Sequence, residues 1–274
     1  MKTLYLSDLD GTLLDRQDRI SPFSLDVLNA LVERGLLFSI ATARSWSSAS
    51  RVVRGLDLRH PLVLYNGGCL FDAKAGRALE SQRFDLAQKQ ELAQLFSSLR
   101  LSPLVYAVQQ GRETVTWLRD LENEGVRRYL SLRPNDPRFL PLEAGQEERL
   151  YLGDVFYFSC IGEREELLPL YQAVQNDPRF NCLFHQELYR SEYWCEIMPR
   201  GATKAAAALR LKALLGCERM VCFGDAINDL PLFQACDEAY AVENAVEPLK
   251  AAATAVIPAN IQDGVARFLL EREG

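Results

Sequence analysis

The sequence predicts an α/β fold, a doubly wound and mostly parallel sheet with an inserted α+β domain, from three observations. Short apolar runs alternate with helical patterns towards both ends of the chain, as in a parallel sheet covered by helices on both faces. The pattern changes to neighbouring strand-like runs in the middle of the chain. The 274 residues, 48% of them hydrophobic, suffice for a large core. We therefore expect core segments at residues 1–82 and 196–274 and an inserted domain at 83–195.

The first core segment contains three short apolar runs that predict buried strands, at residues 3–7, 36–41 and 61–65. Between the first two, Ser21 and Pro22 predict the start of a helix and Gly35 its end. Leucines recur at helical spacing between these two signals. The segment therefore has the strand–helix–strand order of a parallel sheet.

The inserted segment has the pattern of an α+β domain, in which helices accompany adjacent β-ribbons. Its predicted helices are residues 86–99 and 164–174, and its predicted strands are 104–108, 114–118, 154–161, 182–188 and 193–198. A loose, proline-rich piece around Pro134, Pro137 and Pro141 separates the first two strands from the third.

The α/β rhythm resumes from Pro199 in the second core segment. The predicted elements are a helix at 203–215, a strand at 219–223, a further helix, a short strand near 238–242 and a last apolar segment that ends at Ile257. These elements complete the predicted parallel sheet.

Composition and charge exclude several classes of partner. The formal net charge of −6 argues against a nucleic-acid partner, which needs a basic face. No apolar run is long enough for a membrane span or a signal segment, and the seven cysteines form no paired metal or redox motif. We therefore expect a cytoplasmic protein with no nucleic-acid and no membrane partner. Since the chain has two histidines, a metal must be held by carboxylates, which favours a hard cation.

Residues at the carboxyl ends of the predicted strands are candidates for a site, because ligands of parallel α/β sheets lie there. These residues are Asp8, Asp10, Thr42, Arg44, Asn66, Gly67, Asp225, Asn228 and Asp229, and Lys204 begins the helix that follows the insertion. Carboxylates at close range repel one another, so the cluster indicates a bound divalent cation. Carboxylates with few imidazoles select Mg²⁺, which keeps waters and shares oxygens with a phosphate.

The pair Asp8 and Asp10 indicates nucleophilic and acid–base chemistry. Residues two apart in an extended segment point to the same face, so both carboxylates could meet one substrate. One can attack as a nucleophile while the other moves a proton. A calcium loop also begins with this pattern, but its twelfth position is Arg19 here instead of glutamate. A structural role, in which both carboxylates only cap the turn at Gly11, is the other interpretation.

Four segments resemble the motifs of the haloacid dehalogenase (HAD) superfamily and occur in that family's order. Residues 7–14 (SDLDGTLL) resemble motif I, 41–44 (ATAR) motif II, Lys204 within RGATK motif III, and 224–229 (GDAIND) motif IV. The insertion between motifs II and III resembles the type IIB cap of the Cof-like phosphatases. The resemblance implies a HAD-like Rossmannoid core with a cap that closes over the substrate.

The resemblance also implies a role for each matching residue. Asp8 would attack phosphorus and form an aspartyl-phosphate. Asp10 would protonate the leaving oxygen and then deprotonate the hydrolytic water, and Lys204 would hold phosphate oxygens as a third catalytic residue. Mg²⁺ would be bound by the Asp8 carboxylate, the Asp10 main-chain carbonyl and Asp225, with Asp229 as a further ligand or a neighbour of the ligands.

Further residues are expected to bind the substrate: Thr42, Ala43, Arg44, Asn66, Gly67, Lys204 and Asn228. Two positions depart from the family pattern, since Ala43 and Ala205 stand where glycine is frequent. Both changes are small, so we expect them to be tolerated. Arg44 would either contact the substrate or pair with a nearby carboxylate.

Together these expectations predict Mg²⁺-dependent hydrolysis of a small phosphomonoester, with sugar phosphates favoured, by a monomer or homodimer. A phosphotransferase such as a phosphomutase would keep all four motifs and is the main alternative. A non-catalytic protein that binds a phosphorylated ligand would be expected to lose the catalytic pair, whereas Asp8 and Asp10 are both present. A dehalogenase needs neither Asp10 nor Mg²⁺.

Overall fold

The computed structural model describes residues 2–186 and 191–274, and the chain divides into two compact units. One unit consists of Met1–Glu80 and Thr203–Gly274, and the other of Ser81–Ala202. The strands are β1 (Thr3–Ser7), β2 (Leu37–Ile40), β3 (Leu62–Leu64), β4 (Cys69–Asp72), β5 (Arg77–Ser81), β6 (Leu104–Gln109), β7 (Arg112–Leu118), β8 (Phe139–Leu142), β9 (Asp154–Gly162), β10 (Phe180–Gln186), β11 (Tyr193–Pro199), β12 (Arg219–Gly224), β13 (Glu238–Val242) and β14 (Ala255–Ile257). The helices are α1 (Pro22–Glu33), α2 (Trp46–Val52), α3 (Leu86–Ser98), α4 (Glu124–Ser131), α5 (Arg164–Val174), α6 (Lys204–Leu214), α7 (Leu230–Ala235), α8 (Glu247–Ala252) and α9 (Gly264–Glu273).

The first unit is built on a parallel sheet in the order β14-β13-β12-β1-β2. Every neighbouring pair is parallel, and Ser7 at the end of β1 lies opposite both Phe223 and Ile40. Strands β1 and β12 are buried along almost their whole length, as central parallel strands are when both faces are covered. This burial explains their continuous apolar runs, and the predicted α/β class is confirmed.

The strand predicted at 61–65 was expected to join the parallel sheet, but it lies outside that sheet. It forms β3, which pairs antiparallel with β4 in a separate sheet, β3-β4-β5. A parallel bridge between Ala41 and Val63 connects it to the end of β2. The reason is local: Asn66 and Gly67 have φ of 52° and 98°, so the chain turns back at once and β4 pairs with the strand just completed.

The second unit contains a six-stranded sheet in the order β10-β11-β9-β6-β7-β8. Its neighbours are antiparallel except for the parallel pair β7 and β8. Phe96 of α3 and Leu167 and Leu170 of α5 belong to one buried core cluster with two residues of the sheet, Phe158 of β9 and Ile197 of β11. The α+β character expected for the insertion is confirmed.

Two elements of this unit, α4 and β8, fall in or near the proline-rich piece and were not predicted. The side chain of Asn123 begins α4 by accepting the N–H of Val126 at 2.9 Å. Helix α4 has eight residues and β8 has four, which is too short for a periodic pattern to show.

Several predicted bounds differ slightly from the observed ones; the insertion, for example, is predicted to begin at residue 83, and the second unit begins at Ser81. The predicted strand at 182–188 includes Glu187 and Leu188, which lie outside the described residues. The predicted boundary between 195 and 196 falls inside β11, which pairs with β10 as far as Pro199, and the unit ends at Ala202. That each unit is an independent domain stays a prediction.

None of the helices formed by residues 2–186 and 191–274 combines the length and apolar composition needed to cross a membrane.

Candidate active site

Neighbouring strands β1 and β12 bring two aspartates to the same edge of the parallel sheet. Asp8 follows Ser7, Asp225 follows Gly224, and the pairing of Ser7 with Phe223 sets the two strand ends side by side. The N–H of Asp8 donates to the carbonyl of Phe223 at 3.0 Å. Asp8 is 5% exposed, so its carboxylate is almost fully removed from water.

Lys204 reaches this edge from the first turn of α6. The Thr203 hydroxyl caps the helix by accepting the N–H of Ala206 at 3.0 Å. Lys204 Nζ donates to Asp8 Oδ1 and to Asp229 Oδ1, both at 2.7 Å. The Lys204 side chain is 1% exposed, so the ammonium is a buried cation between two carboxylates.

Gly67 fixes the start of this helix against the loop that follows β3. Its φ is +98°, and a Cβ at this position would lie 2.1 Å from the Thr203 carbonyl oxygen. Only glycine fits such a close approach of two backbones. The loop after β3 therefore helps to set the position of Lys204 at the start of α6.

Asp8, Asp225 and Asp229 offer carboxylate oxygens that lie within 4.8 Å of one another. Thr12 donates to Asp225 Oδ1 at 3.1 Å, and the N–H of Asp225 donates to Asp229 Oδ2 at 3.2 Å. Three formal negative charges face the single ammonium of Lys204. This excess of buried negative charge fits a divalent cation, and an all-oxygen ligand set suits Mg²⁺.

The charges of this cluster depend on one another. Burial raises the pKa of the Asp8 carboxyl well above its ordinary value, an effect that Lys204 opposes and Asp229 reinforces. Burial and the neighbouring Asp229 raise the pKa of Asp225 to about 6. Burial by itself lowers the pKa of the Lys204 ammonium, but the carboxylates of Asp8 and Asp229 raise it overall. Lys204 therefore stays a cation, and the aspartates ionise more easily beside a second positive charge.

The Asp10 carboxylate is not part of this three-carboxylate group. Arg44 Nε donates to Asp10 Oδ2 at 2.8 Å, its Nη2 pairs with the other oxygen, and Nη2 also lies 3.2 Å from Asp18 Oδ2. The segment that carries Asp8 and Asp10 lies beyond the last residue of β1, and a turn begins at Asp10, so a shared face of the two carboxylates stays a prediction. Of the two alternatives for Arg44, the structure shows pairing with carboxylates; contact with a substrate stays a prediction.

The residues expected to bind the substrate come from adjoining loops of the same unit. Asn228 Nδ2 donates to Asn66 Oδ1 at 3.2 Å. Thr42 is buried; its hydroxyl accepts the N–H of Arg44 at 3.1 Å and its carbonyl accepts the N–H of Asn66 at 3.0 Å. Ala43 is exposed. Their roles towards a substrate stay predictions.

Two contacts of the site come from residues that the sequence analysis did not select. Asp18 pairs with Arg44, and Asn244 Nδ2 donates to the carbonyl of Gly11 at 2.7 Å. Asn244 follows β13, so the rule of strand ends, applied to this strand as well, would have found it. Asp18 lies in a polar turn, where no pattern in the sequence distinguishes it from its neighbours.

Comparisons with known proteins agree over nearly the whole chain. The sequence matches the family model of the haloacid dehalogenase-like hydrolases over residues 5–269. It is 25% identical to the 5-amino-6-(5-phospho-D-ribitylamino)uracil phosphatase YwtE of Bacillus subtilis and 24% identical to the pyridoxal phosphate phosphatase YbhA of Escherichia coli, each over 96% of this chain and 95% of the relative. A solved haloacid dehalogenase-like hydrolase from Bacteroides thetaiotaomicron has a TM-score of 0.77 and 23% identity, over 99% of both chains.

Proposed function

The chain belongs to the haloacid dehalogenase-like hydrolases, and from this membership we propose that it is a Mg²⁺-dependent phosphatase that hydrolyses a small phosphomonoester through an aspartyl-phosphate. The observation that carries the proposal is Lys204, held between Asp8 and Asp229 beside the carboxylate of Asp225. A buried cation next to an acidic cluster can serve both a phosphate and a metal. The two curated relatives are named phosphatases, which supports hydrolysis as the reaction.

Asp8 is the proposed nucleophile. Its carboxylate oxygen attacks phosphorus while the bond from phosphorus to the leaving oxygen breaks, which gives an acyl phosphate on Asp8 and a free alcohol. Lys204 holds one Asp8 oxygen and stays cationic, so it reduces the repulsion between the carboxylate and an approaching phosphate. Water then attacks the same phosphorus. The bond between phosphorus and the Asp8 oxygen breaks, which regenerates the Asp8 carboxylate and releases inorganic phosphate.

Asp10 is the proposed acid and base. It gives a proton to the leaving oxygen in the first step and takes a proton from the attacking water in the second. Its carboxylate is paired with Arg44 in the structure, so this pair has to open before Asp10 can act. The Asp10 side chain is 47% exposed, so water can replace Arg44 as its partner when the pair opens.

Asp8, Asp225 and Asp229 are the proposed ligands of Mg²⁺, together with the main-chain carbonyl of Asp10. When bound, Mg²⁺ supplies Lewis-acid polarisation of a phosphate oxygen. Thr12 holds the Asp225 carboxylate in place through its hydrogen bond at 3.1 Å.

We propose a sugar phosphate or a related small metabolite as the substrate. The relatives YwtE and YbhA are named for a phosphoribityl compound and for pyridoxal phosphate, which supports a small phosphorylated metabolite. The proposed substrate-binding residues are Thr42, Ala43, Arg44, Asn66, Gly67, Lys204 and Asn228. A cytoplasmic location and a monomeric or homodimeric state complete the proposal.

Phosphate release from a panel of sugar phosphates, nucleotides and pyridoxal phosphate, with and without Mg²⁺, tests the proposal. The comparison includes Asp8→Asn and a matched control, Asp26→Asn, which changes an exposed aspartate on α1. We expect Mg²⁺-dependent turnover in the wild type and the control, and turnover at least about 10³-fold slower in Asp8→Asn. Turnover that Asp8→Asn leaves unchanged would overturn the mechanism, and transfer to a second sugar instead of water would identify a phosphotransferase.

A further inference from the structure

The turn that follows Asp10 is held by two asparagines that lie outside the motif-like segments. Asn244, after β13, donates from Nδ2 to the carbonyl of Gly11 at 2.7 Å. Its Oδ1 accepts the N–H of Asn260 at 3.0 Å. Asn260 Nδ2 in turn donates to the carbonyl of Leu14 at 2.7 Å. The two side chains therefore anchor both ends of the turn formed by residues 11–14.

Gly11 places this turn directly against one of the clustered carboxylates. Its φ is +73°, and a Cβ at this position would lie 2.2 Å from Asp225 Oδ2. The Gly11 carbonyl belongs to the peptide after Gly11, and the Asp10 carbonyl belongs to the peptide before it. An anchor on the Gly11 carbonyl therefore restrains the peptide that carries the Asp10 carbonyl as well.

The same segment also contacts the loop of Asp225. The N–H of Val246 donates to the Asp225 carbonyl at 2.9 Å. The N–H of Ala245 donates to the carbonyl of Val242 at 2.8 Å and closes the turn in which Asn244 sits. One closed turn thus binds both carboxylate-bearing loops, the first through the Asn244 side chain and the second through the main chain of Val246.

We propose that Asn244 is a positioning residue that sets the separation between the loop of Asp8 and Asp10 and the carboxylate of Asp225, and with it the affinity of the site for Mg²⁺. The inference rests on the proposed function, since the metal and the reaction are those proposed above. Asn244 is exposed, and an exposed hydrogen bond adds little to the stability of the whole fold. Loss of the Asn244 hydrogen bond therefore acts mainly on the local geometry of the site, and a displacement of a catalytic group by about 1 Å can lower a rate about 10²-fold.

The chain offers a matched control for substitutions of Asn244. Asn29 makes the same two kinds of hydrogen bond, from Nδ2 to the carbonyl of Gly55 and from the N–H of Asp57 to Oδ1, each at 2.8 Å. It ties α1 to the loop after α2 and is not among the site residues. Asn244→Asp removes the Nδ2 donor and keeps the acceptor, Asn244→Ala removes both, and Asn29→Asp repeats the first change at the control position.

The readouts are Mg²⁺ affinity, measured by calorimetric titration with Mg²⁺ alone, and kcat and KM with p-nitrophenyl phosphate. We expect both Asn244 variants to bind Mg²⁺ about 10-fold more weakly and to lose about 10- to 100-fold in kcat with little change in KM. Asn29→Asp should keep the Mg²⁺ affinity and the kcat of the wild type. The added charge of Asn244→Asp would by itself strengthen cation binding, so weaker binding in that variant reports lost positioning.

Mg²⁺ affinity and kcat within about twofold of the wild type in both Asn244 variants would overturn the proposal, because metal ligands that lose such support weaken more than this. Equal losses in Asn29→Asp would also overturn it, since they would indicate a general loss of stability. If the wild type binds Mg²⁺ but releases no phosphate, the proposed function fails while the Mg²⁺ affinities still decide the role of Asn244. If the wild type binds no Mg²⁺, both proposals fail.

Discussion

The buried ammonium of Lys204 explains how Asp8 and Asp229 can lie close together inside a folded chain. Its two hydrogen bonds of 2.7 Å compensate a desolvated cation with two desolvated anions. An isolated buried ion costs several kcal/mol, so each member of this set depends on the others. The sequence pattern predicted that all three residues lie at strand or helix ends, but only the structure shows which of them contact one another.

Lys204→Ala should lower the free energy of unfolding by about 3–5 kcal/mol at pH 7 without Mg²⁺, because it leaves buried carboxylates without their cation. The loss should shrink towards pH 4, since protonation neutralises carboxyls whose pKa is already raised by burial. Urea unfolding at several pH values measures both effects. Lys250→Ala is the control: it breaks a 3.0 Å pair with the 86% exposed Glu247 and should cost no more than about 0.5 kcal/mol. Equal losses in the two variants would contradict the argument.

At the scale of elements, how well the sequence predicted a segment depended on whether its signals were local. Helix α5 spans the residues predicted for it, because its buried residues Leu167, Leu170 and Val174 recur at helical spacing within the segment itself. Strand β3 was found, but its partner was not, since a single turn with positive φ at Asn66 and Gly67 sends the next strand back antiparallel. Pairing is a property of two segments, and an apolar run contains only one of them.

Gly67→Ala should displace the start of α6, because a Cβ would lie 2.1 Å from the Thr203 carbonyl oxygen. We expect kcat at least about 10-fold lower and a free energy of unfolding lower by about 2–4 kcal/mol. Gly76→Ala is the control: its φ is +64°, with nothing within 4 Å of the added Cβ, so only the backbone cost of about 1–2 kcal/mol applies. A wild-type kcat in Gly67→Ala would show that this contact does not position Lys204.

Helix α9 is pinned to β13 by Glu238, whose Oε1 accepts from Arg272 Nη2 at 2.8 Å. The hydrogen bond from Arg272 is the main reason that the pKa of Glu238 falls from 4.5 to about 2. A carboxyl with a lowered pKa stabilises the folded state above its unfolded pKa, and this contribution disappears as pH falls through the folded pKa. Glu238→Gln should therefore cost about 2 kcal/mol at pH 7, and the difference from wild type should decline between pH 4.5 and 2.

Urea unfolding at pH 7, 4 and 2.5 measures this decline. Glu247→Gln, at an 86% exposed position, should show no such pH dependence. A constant difference between Glu238→Gln and the wild type across this range would mean that packing, and not charge, accounts for the loss.

At the scale of the whole molecule, the residues proposed for chemistry all belong to the unit of Met1–Glu80 and Thr203–Gly274. The unit of Ser81–Ala202 has its own sheet and its own buried core around Phe96 and Phe158. Each unit thus holds the kind of core that an independently folding domain needs.

Replacing Ser81–Ala202 by a short Gly/Ser linker should leave a folded protein that still binds Mg²⁺. The ends of the removed unit lie close together, since a Cβ on Gly201 would be 2.6 Å from Gln82 Oε1, so a flexible linker can span them. Thermal unfolding followed by circular dichroism, with and without Mg²⁺, measures the outcome. A gradual transition without a Mg²⁺-dependent shift would show that the first unit does not fold alone.

The sequence by itself determined the α/β class, the presence of an inserted α+β segment and the polar residues at the ends of the core strands. It could do so because strands buried on both faces are continuous apolar runs, against which Asp8, Thr42 and Asp225 stand out. Only the tertiary structure decided that Lys204, 196 residues from Asp8, bonds to it, and that Asn244 holds the turn at Gly11. Such contacts depend on strand order and on where a helix start packs, and neither is encoded in the local periodicity of the chain.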